Sequence, residues 1–568
     1  MPHTALRDIP VLRRVAASPG RPLAALCAVG VGLAWLTRWA VDDAYIGYVY
    51  SRNLAEGRGL VFNPGERVEG YTNFLWTLIH AAPIRFEWDP LLFSHVLGSV
   101  CFVATILASH RLAQRVLRDD VLALVAAAAV AVNGTLIRFS TSGIETLMQC
   151  AFLLGALVMP LDRDGGWTRR IGPWIGASVC AAAALLTRLD SALMLLVWFG
   201  AFVAHERHDP ASLRRRVAAL VLPGAIPLVA WAWWKLDYYG SLLPNTLAAK
   251  TGGSRVQMFL VGLIYLAVAA ISFGAPLLIG RLRTLRPALR EHRLLVPLVT
   301  ASALWTLYAL WVGGDWMEFR FLAAAMPALA IALAVMLDPI RGRSRQIALL
   351  VGLLAFSANH LVTSPLSPGV QNPGAMNEGT RLLRITGEEL ARRFPGDLAD
   401  PDRPILAVSA AGALPYFSRL ESVDVLGLTD DYVAAHGLYG DFYLPGHQLV
   451  APIDYLVRRR VNLIIALDGA INPQPDRKNY RLSELVEYYP IADLRDLPPA
   501  ATVLEIPLEF GSIHAIYARA NPAIDRLVDD GTWREYPILR SPLSAACLQS
   551  DLTQLVKLMG TKTCPNLK

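Results

Sequence analysis

Residues 22–57 read PLAALCAVGVGLAWLTRWAVDDAYIGYVYSRNLAEG, an apolar run set directly against two acids and a tyrosine-rich stretch. A helix rises about 1.5 Å per residue, so roughly 20 apolar residues cross the hydrocarbon of a bilayer. Pro22 to Ala40 is long enough for that, and Asp42 and Asp43 follow where the run ends. No small-residue cleavage site leading into a soluble domain comes after it, so this first helix is expected to remain as an anchor. The stretch therefore predicts a polytopic membrane protein with chemistry-bearing groups at an outer helix end.

The rest of the chain agrees. Of its 568 residues 54% are hydrophobic and 17% charged, and the mean hydropathy is +0.39, too apolar for a soluble chain of this length. Backbone groups in lipid must pair within their own segment, so long apolar blocks read as helices. Candidate spans run over 22–40, 91–110, 121–137, 143–160, 171–188, 190–205, 217–236, 257–280, 294–312, 317–337 and 346–363, eleven in all. Arginines gather in alternate loops: Arg7, Arg13 and Arg14; Arg111, Arg115 and Arg118; Arg163, Arg169 and Arg170; Arg207 and Arg214 to Arg216; Arg281 to Arg293; Arg341 to Arg345. The positive-inside rule makes these loops cytoplasmic and puts the others outside. The alternation requires Tyr71 to Phe86, short and carrying His80 and Arg85, to lie in the outer interface rather than span. The formal net charge of +7 is thus a topology signal, and nucleic-acid binding is excluded as its explanation.

Residues 364–568 change character, with Pro, Gly, frequent charges and short strand-like runs such as Ile405 to Val408 and Val461 to Ala466. They predict an extracytoplasmic α/β domain of roughly 200 residues, large enough for its own core, after a membrane domain over 1–363. It has neither G-x-G-x-x-G nor a P-loop, so nucleotide binding has no support. Cys27, Cys101, Cys150 and Cys180 fall in apolar helices as small core residues. Cys547 and Cys564 fall in the exported part, where a disulfide pinning the tail is the first choice.

Ionisable groups at the outer ends of apolar helices are costly to place and carry a functional hypothesis. Asp42 and Asp43 suit proton transfer or stabilisation of charge at an anomeric carbon; the plain alternative is a solvated helix stop. Tyr45, Tyr48 and Tyr50 behind them suit a sugar or an interface. Glu145 follows at the outer start of the fourth span, and Arg188 with Asp190 forms a tight turn whose plain reading is an ion pair within the turn. Tyr239, Asn245, Thr246 and Lys250 share an outer loop, and Asp315, Trp316 and Arg320 open the tenth span behind two glycines. Arg188, Lys250 and Arg320 suit a lipid-linked phosphate, with snorkelling to headgroups as the alternative. In the exported part Tyr416, Tyr432, Tyr443 and His447 are candidate sugar contacts. No metal site is read from the spacing. No cofactor is needed, although two ionised acids facing a phosphate could recruit a divalent ion.

The motifs DDAYIGYVYSRNLAEGRGLVFNPGERVEGYTNFLW (42–76), SGIET (142–146), TRLD (187–190), YYGSLLPNT (238–246), VGGDWMEFRFL (312–322) and VDVLGLTD (423–430) carry a resemblance. The chain resembles the GT-C membrane glycosyltransferases, and within them the AftB-type terminal β-(1→2)-arabinofuranosyltransferases of mycobacteria and relatives. The resemblance implies a decaprenyl-phosphoryl-arabinofuranose donor and, as acceptor, terminal arabinan of arabinogalactan and lipoarabinomannan. It further implies an inner-membrane location with a periplasmic active site, and a C-terminal domain that caps the site. By motif match it carries Asp42 and Asp43 as the acids; Glu145, Arg188 and Arg320 are added on chemistry alone. If donor and product are both β-linked, configuration is retained, which a single in-line displacement does not do. A transferase of another sugar such as mannose, a lipid-linked sugar flippase and a non-catalytic glycan-binding scaffold are the competing readings.

Overall fold

The computed structural model describes residues 19–251, 254–275, 282–337, 351–352, 371–398, 400, 402–439, 448–465, 477–482, 485 and 494–540. The expected disulfide between Cys547 and Cys564, the candidate contacts Tyr443 and His447, the arginines at 341–345 and nearly all of the expected span 346–363 lie outside these residues. The chain divides into two compact units. The first comprises Met1–Ala40, Thr72–Leu242 and Arg255–Pro373; the second comprises Val41–Tyr71, Leu243–Ser254 and Gly374–Lys568.

The first unit is helical. Pro90–Leu117 is the type case of how its helices form. Asp89 accepts from the backbone N–H groups of Leu91 and Leu92, Pro90 takes the first helical position, and Arg118 closes the helix in a left-handed conformation. This helix packs on Asp120–Ala131 and Thr146–Val158. The buried core around them holds Leu112, Val116, Leu153, Leu157, Trp174, Trp198 and Phe202.

Four helical stretches are long and apolar enough to cross a membrane: Pro90–Leu117, Leu189–Glu206, Pro210–Tyr239 and Arg255–Ser272. Along Pro210–Tyr239 the apolar side chains point outward, Ile226 and Trp233 each 72% exposed. A soluble surface would not tolerate that, and a lipid-facing one requires it. Shorter apolar helices complete a helical membrane domain, although the expected count of eleven spans is not reached among the described residues. Two expected spans are cut by local chemistry. The run 121–137 breaks after Asp120–Ala131, because the Asn133 side chain accepts from the Leu136 N–H and starts a new helix at Gly134–Phe139. The run 317–337 becomes α-helical only at Met326, after a 3₁₀ turn over Arg320–Ala325. The stretch expected to lie in the interface forms one short helix, Phe74–Arg85.

The second unit is α/β. Nine strands are described: β1 (Leu406–Val408), β2 (Ser422–Asp424), β3 (Leu438–Tyr439), β4 (Leu449–Val450), β5 (Leu463–Ile465), β6 (Tyr480–Arg481), β7 (Thr502–Leu508), β8 (Gly511–Tyr517) and β9 (Arg534–Leu539). Seven form one sheet in the order β2-β1-β5-β8-β7-β9-β6, and β3 pairs with β4. The β2-β1-β5 part is parallel, and β8, β7 and β9 run antiparallel. The three parallel strands are buried throughout, as strands covered on both faces must be.

This unit also takes in the helix Asp42–Ala55 and the short helix Asn245–Thr251. Sequence patterning had attached both to the membrane part. The tyrosine run read as suited to a sugar or an interface is core: Tyr45 is 3% exposed, and Tyr48 and Tyr50 are fully buried.

A pair of helical glycines tests the packing of the first unit. A Cβ at Gly98 would lie 2.1 Å from the Ser140 carbonyl oxygen, whereas one at Gly32 meets nothing within 4 Å. Gly98→Ala is therefore expected to lower stability by about 1–3 kcal/mol. Gly32→Ala should be neutral or slightly stabilising. Thermal melts of the purified protein check both.

Candidate active site

Each unit carries one constellation of the residue types singled out by the sequence. In the first unit, Glu145 sits at the start of the helix Thr146–Val158 with 3% exposure. Its Oε1 accepts from Arg188 Nη1 at 3.0 Å and its Oε2 from Asn73 Nδ2 at 2.7 Å. Arg188 also grips Asp190, with Nε at 3.1 Å and Nη2 at 2.8 Å from Oδ2. Gln149 Nε2 donates to Asp190 Oδ1 at 2.8 Å and to Ser191 Oγ at 3.0 Å. Arg320 Nε donates to Asp315 Oδ2 at 2.7 Å. The Phe321 ring is shared, its centroid 5.6 Å from the Arg188 guanidinium carbon and 5.5 Å from that of Arg320.

Arg188 and Arg320 are thus not snorkelling to headgroups. They neutralise buried carboxylates, and the ion pair within the 188–190 turn extends to Glu145. Of the five N–H groups of a guanidinium, Arg188 places three on Glu145 and Asp190. The other two are not engaged by these carboxylates. Gly313 and Gly314 both adopt positive φ, 89° and 78°, and a Cβ on Gly314 would meet the Tyr265 ring at 2.5 Å. These glycines make the turn and admit Tyr265.

Sequence reasoning missed Asn73, Gln149 and Phe321. Asn73 stands at a helix N-terminus, where an asparagine ordinarily caps its own helix. Here it makes no cap bond; it donates to Glu145 and accepts from Thr77 Oγ1 at 3.0 Å.

In the second unit Asp42 and Asp43 occupy the first turn of Asp42–Ala55. Asp42 accepts two backbone N–H groups, Gly412 N to Oδ2 at 3.0 Å and Ala413 N to Oδ1 at 2.7 Å. Gly412 follows β1 at its carboxyl end, the end at which parallel α/β sheets place their sites. A Cβ on Gly412 would lie 2.0 Å from the Asp42 carbonyl oxygen, so only glycine allows this approach. Part of Asp42 reaches solvent, but its carboxyl group lies deep among packed atoms. Burial, reinforced by the charges of Asp43 and Asp424 and opposed by the two amide bonds, pushes its pKa up to about 7. Asp43 is half-buried beside it.

Asp424 in VDVLGLTD is also buried. It accepts from Leu426 N and Thr429 N at 2.9 Å each, and desolvation raises its pKa to about 6. The loop it shapes presents the carbonyls of Gly427, Leu428 and Asp430 to Asn245 Nδ2 at 2.8–3.2 Å.

The remaining candidates are dispersed. Asn245 is a structural tie, and Thr246 is buried. Lys250 is exposed on Asn245–Thr251. Tyr239 packs on Trp234 and Tyr238, and the Trp316 carbonyl accepts from Gln371 N. Tyr45 is buried against Tyr48, Tyr416 and Phe417, and Tyr432 stacks on Tyr455. Among the described residues, no group of three or more His, Cys, Asp or Glu side chains is placed to hold a metal ion.

The fold recurs among solved structures. It is shared with the crystal structure of ArnT from Cupriavidus metallidurans bound to undecaprenyl phosphate, at a TM-score of 0.56 and 14% identity, over 87% of this chain and 97% of that one. The apo form of the same protein matches at 0.50. In sequence the chain is similar to the terminal β-(1→2)-arabinofuranosyltransferase of Mycobacterium tuberculosis, 29% identical over 340 residues, 53% of each chain. The enzyme of the same name from Corynebacterium glutamicum is 27% identical over 356 residues, 54% of this chain and 49% of that one. This chain therefore spans about half the length of the curated relatives it matches. Residues 381–505 match a family described as a domain of unknown function (DUF8728).

The ion network of the first unit makes a testable demand. Removing one partner of a buried pair strands the other charge, at a cost of about 3–5 kcal/mol. Arg188→Gln is expected to destabilise the protein by that order, and adding Glu145→Gln and Asp190→Asn should recover most of it. A melt of Arg188→Gln indistinguishable from the native protein would return Arg188 to the solvated surface.

Proposed function

We propose that this chain is a polyprenyl-phosphate-sugar-dependent glycosyltransferase that moves arabinofuranose. The similarity to two proteins named terminal β-(1→2)-arabinofuranosyltransferase carries this reading, and the GT-C fold is consistent with it. The proposed donor is decaprenyl-phosphoryl-arabinofuranose. The proposed acceptor is the terminal arabinan of arabinogalactan and lipoarabinomannan, in cell-wall synthesis on the periplasmic side of the inner membrane. The polyprenyl tail keeps the donor in the bilayer, so holding the donor phosphate belongs to the membrane part, whereas Asp42, Asp43 and glycan recognition belong to the second unit.

Within this reading the two adjacent aspartates divide the work. Asp42 already receives two backbone amides and acts as the positioning residue. Asp43 is the reacting carboxylate, as base or nucleophile according to whether configuration is inverted or retained. Arg188 offers the N–H groups not engaged by Glu145 and Asp190 to the donor phosphate, and Arg320, which shares the Phe321 ring with it, adds positive charge beside it. Charge-assisted bonds of this kind hold an anion that neutral donors hold only weakly.

The test is direct. Purified protein in lipid nanodiscs is incubated with radiolabelled decaprenyl-phosphoryl-arabinofuranose and a synthetic arabinan acceptor. The expected product is an acceptor one arabinofuranose longer. Transfer only from a mannosyl donor would replace the sugar assignment. Movement of lipid-linked sugar across the bilayer with no new glycosidic bond would replace the enzyme by a transporter.

A further inference from the structure

Between the membrane-length helix Arg255–Ser272 and the apolar helix Leu295–Trp311 lies a helix of a different kind, Leu282–Glu291 (LRTLRPALRE). At 100° per residue its side chains separate by chemistry. Ala288 is buried, and Leu285 and Leu289 pack half-buried against the core of the first unit. Arg283, Arg286 and Arg290 fall within about 60° of arc on another face, and all three are exposed. Arg293, just beyond the helix, is exposed as well. None of the four forms an ion pair among the described residues. Glu291 is the only acid between 282 and 293, and the helical period puts it about 80–140° around the helix from the three arginines. Leu282, at the edge of the apolar face, is 54% exposed.

An exposed arginine row with no acid paired to it concentrates anions at its surface. Here the neighbouring helices on both sides are apolar and of membrane character, so the medium next to this helix is a bilayer surface. We infer that Leu282–Glu291 is a lipid-binding element. It lies along the membrane surface with Arg283, Arg286 and Arg290 holding the phosphates of anionic phospholipid headgroups, and with Leu282 inserted beside the acyl chains. Phosphate suits guanidinium pairing geometrically as well as electrostatically, and each basic side chain at an anionic leaflet adds roughly a fivefold factor in binding. The inference concerns lipid association alone and stands whether or not the chain transfers arabinose.

Titration of dioleoyl phosphatidylglycerol into the detergent-solubilised full chain, followed by its melting temperature, tests this. Phosphatidylglycerol should stabilise the native protein more than phosphatidylcholine does, with a half-saturation that worsens as salt is raised. The triple variant Arg283→Gln, Arg286→Gln, Arg290→Gln should need on the order of 100-fold more phosphatidylglycerol at low salt. The triple Lys variant should fall between the two. The inference is overturned if the Gln variant saturates at the native concentration, or if phosphatidylcholine stabilises equally. Should the Gln variant fail to fold, salt-independent binding of phosphatidylglycerol by the native chain overturns it by itself.

Discussion

The carboxylate of Asp42 is held by two consecutive backbone amides from a loop some 370 residues further along the chain, Gly412 and Ala413. The second unit depends on this contact. It fixes the start of the helix Asp42–Ala55 at the carboxyl end of β1 and so determines where Asp43 stands. The same unit is tied at two more places. Asn245 donates to the 427–430 loop, and Arg459 bonds Glu66, Glu421 and Asp430 together. Closing a loop of several hundred residues costs little more than closing one of a hundred. A unit can therefore be assembled from three distant stretches when each brings a specific polar anchor.

The first unit solves a related problem by pairing. Carboxylates among apolar helices are tolerable only when a cation and further hydrogen bonds accompany them. Arg188 faces both Glu145 and Asp190, while Asn73 and Gln149 complete the acids' remaining lone pairs. Arg138 does the same for the fully buried Glu318 at 3.1 Å. In both cases the ion pair is structural as the chain stands, and any role toward a donor phosphate has to use the N–H groups left over.

What the sequence disclosed follows the range of each signal. Apolar runs report burial in lipid within one segment, so the membrane helices at 90–117, 210–239 and 255–272 were legible. The α/β character of the C-terminal region was legible from its short strand runs. Acids and arginines at helix ends pointed to Asp42, Glu145, Arg188 and Arg320, since charge is conspicuous against apolar sequence. Partners were not legible. Nothing near Asp42 names Gly412, and nothing in SGIET names Asn73. The tyrosines at 45, 48 and 50 read as suited to a sugar or an interface, and Tyr416 and Phe417 against Tyr45 show them to be core. The break at Asn133 did have a local sign, an asparagine–glycine pair inside an apolar run, which hydropathy averaging smooths away.

The division of labour between Asp42 and Asp43 is the claim on which the proposed chemistry rests, and steady-state transfer by Asp42→Asn and Asp43→Asn measures it most directly. An amide at 42 still accepts one of the two backbone N–H groups but turns an NH₂ toward the other. Asp42→Asn should therefore melt lower and keep measurable transfer. Asp43→Asn should melt like the native protein and lose on the order of 10²-fold or more in kcat, as removal of an acid–base group does. A native rate from Asp43→Asn, or an unchanged melt with abolished transfer from Asp42→Asn, would contradict the assignment.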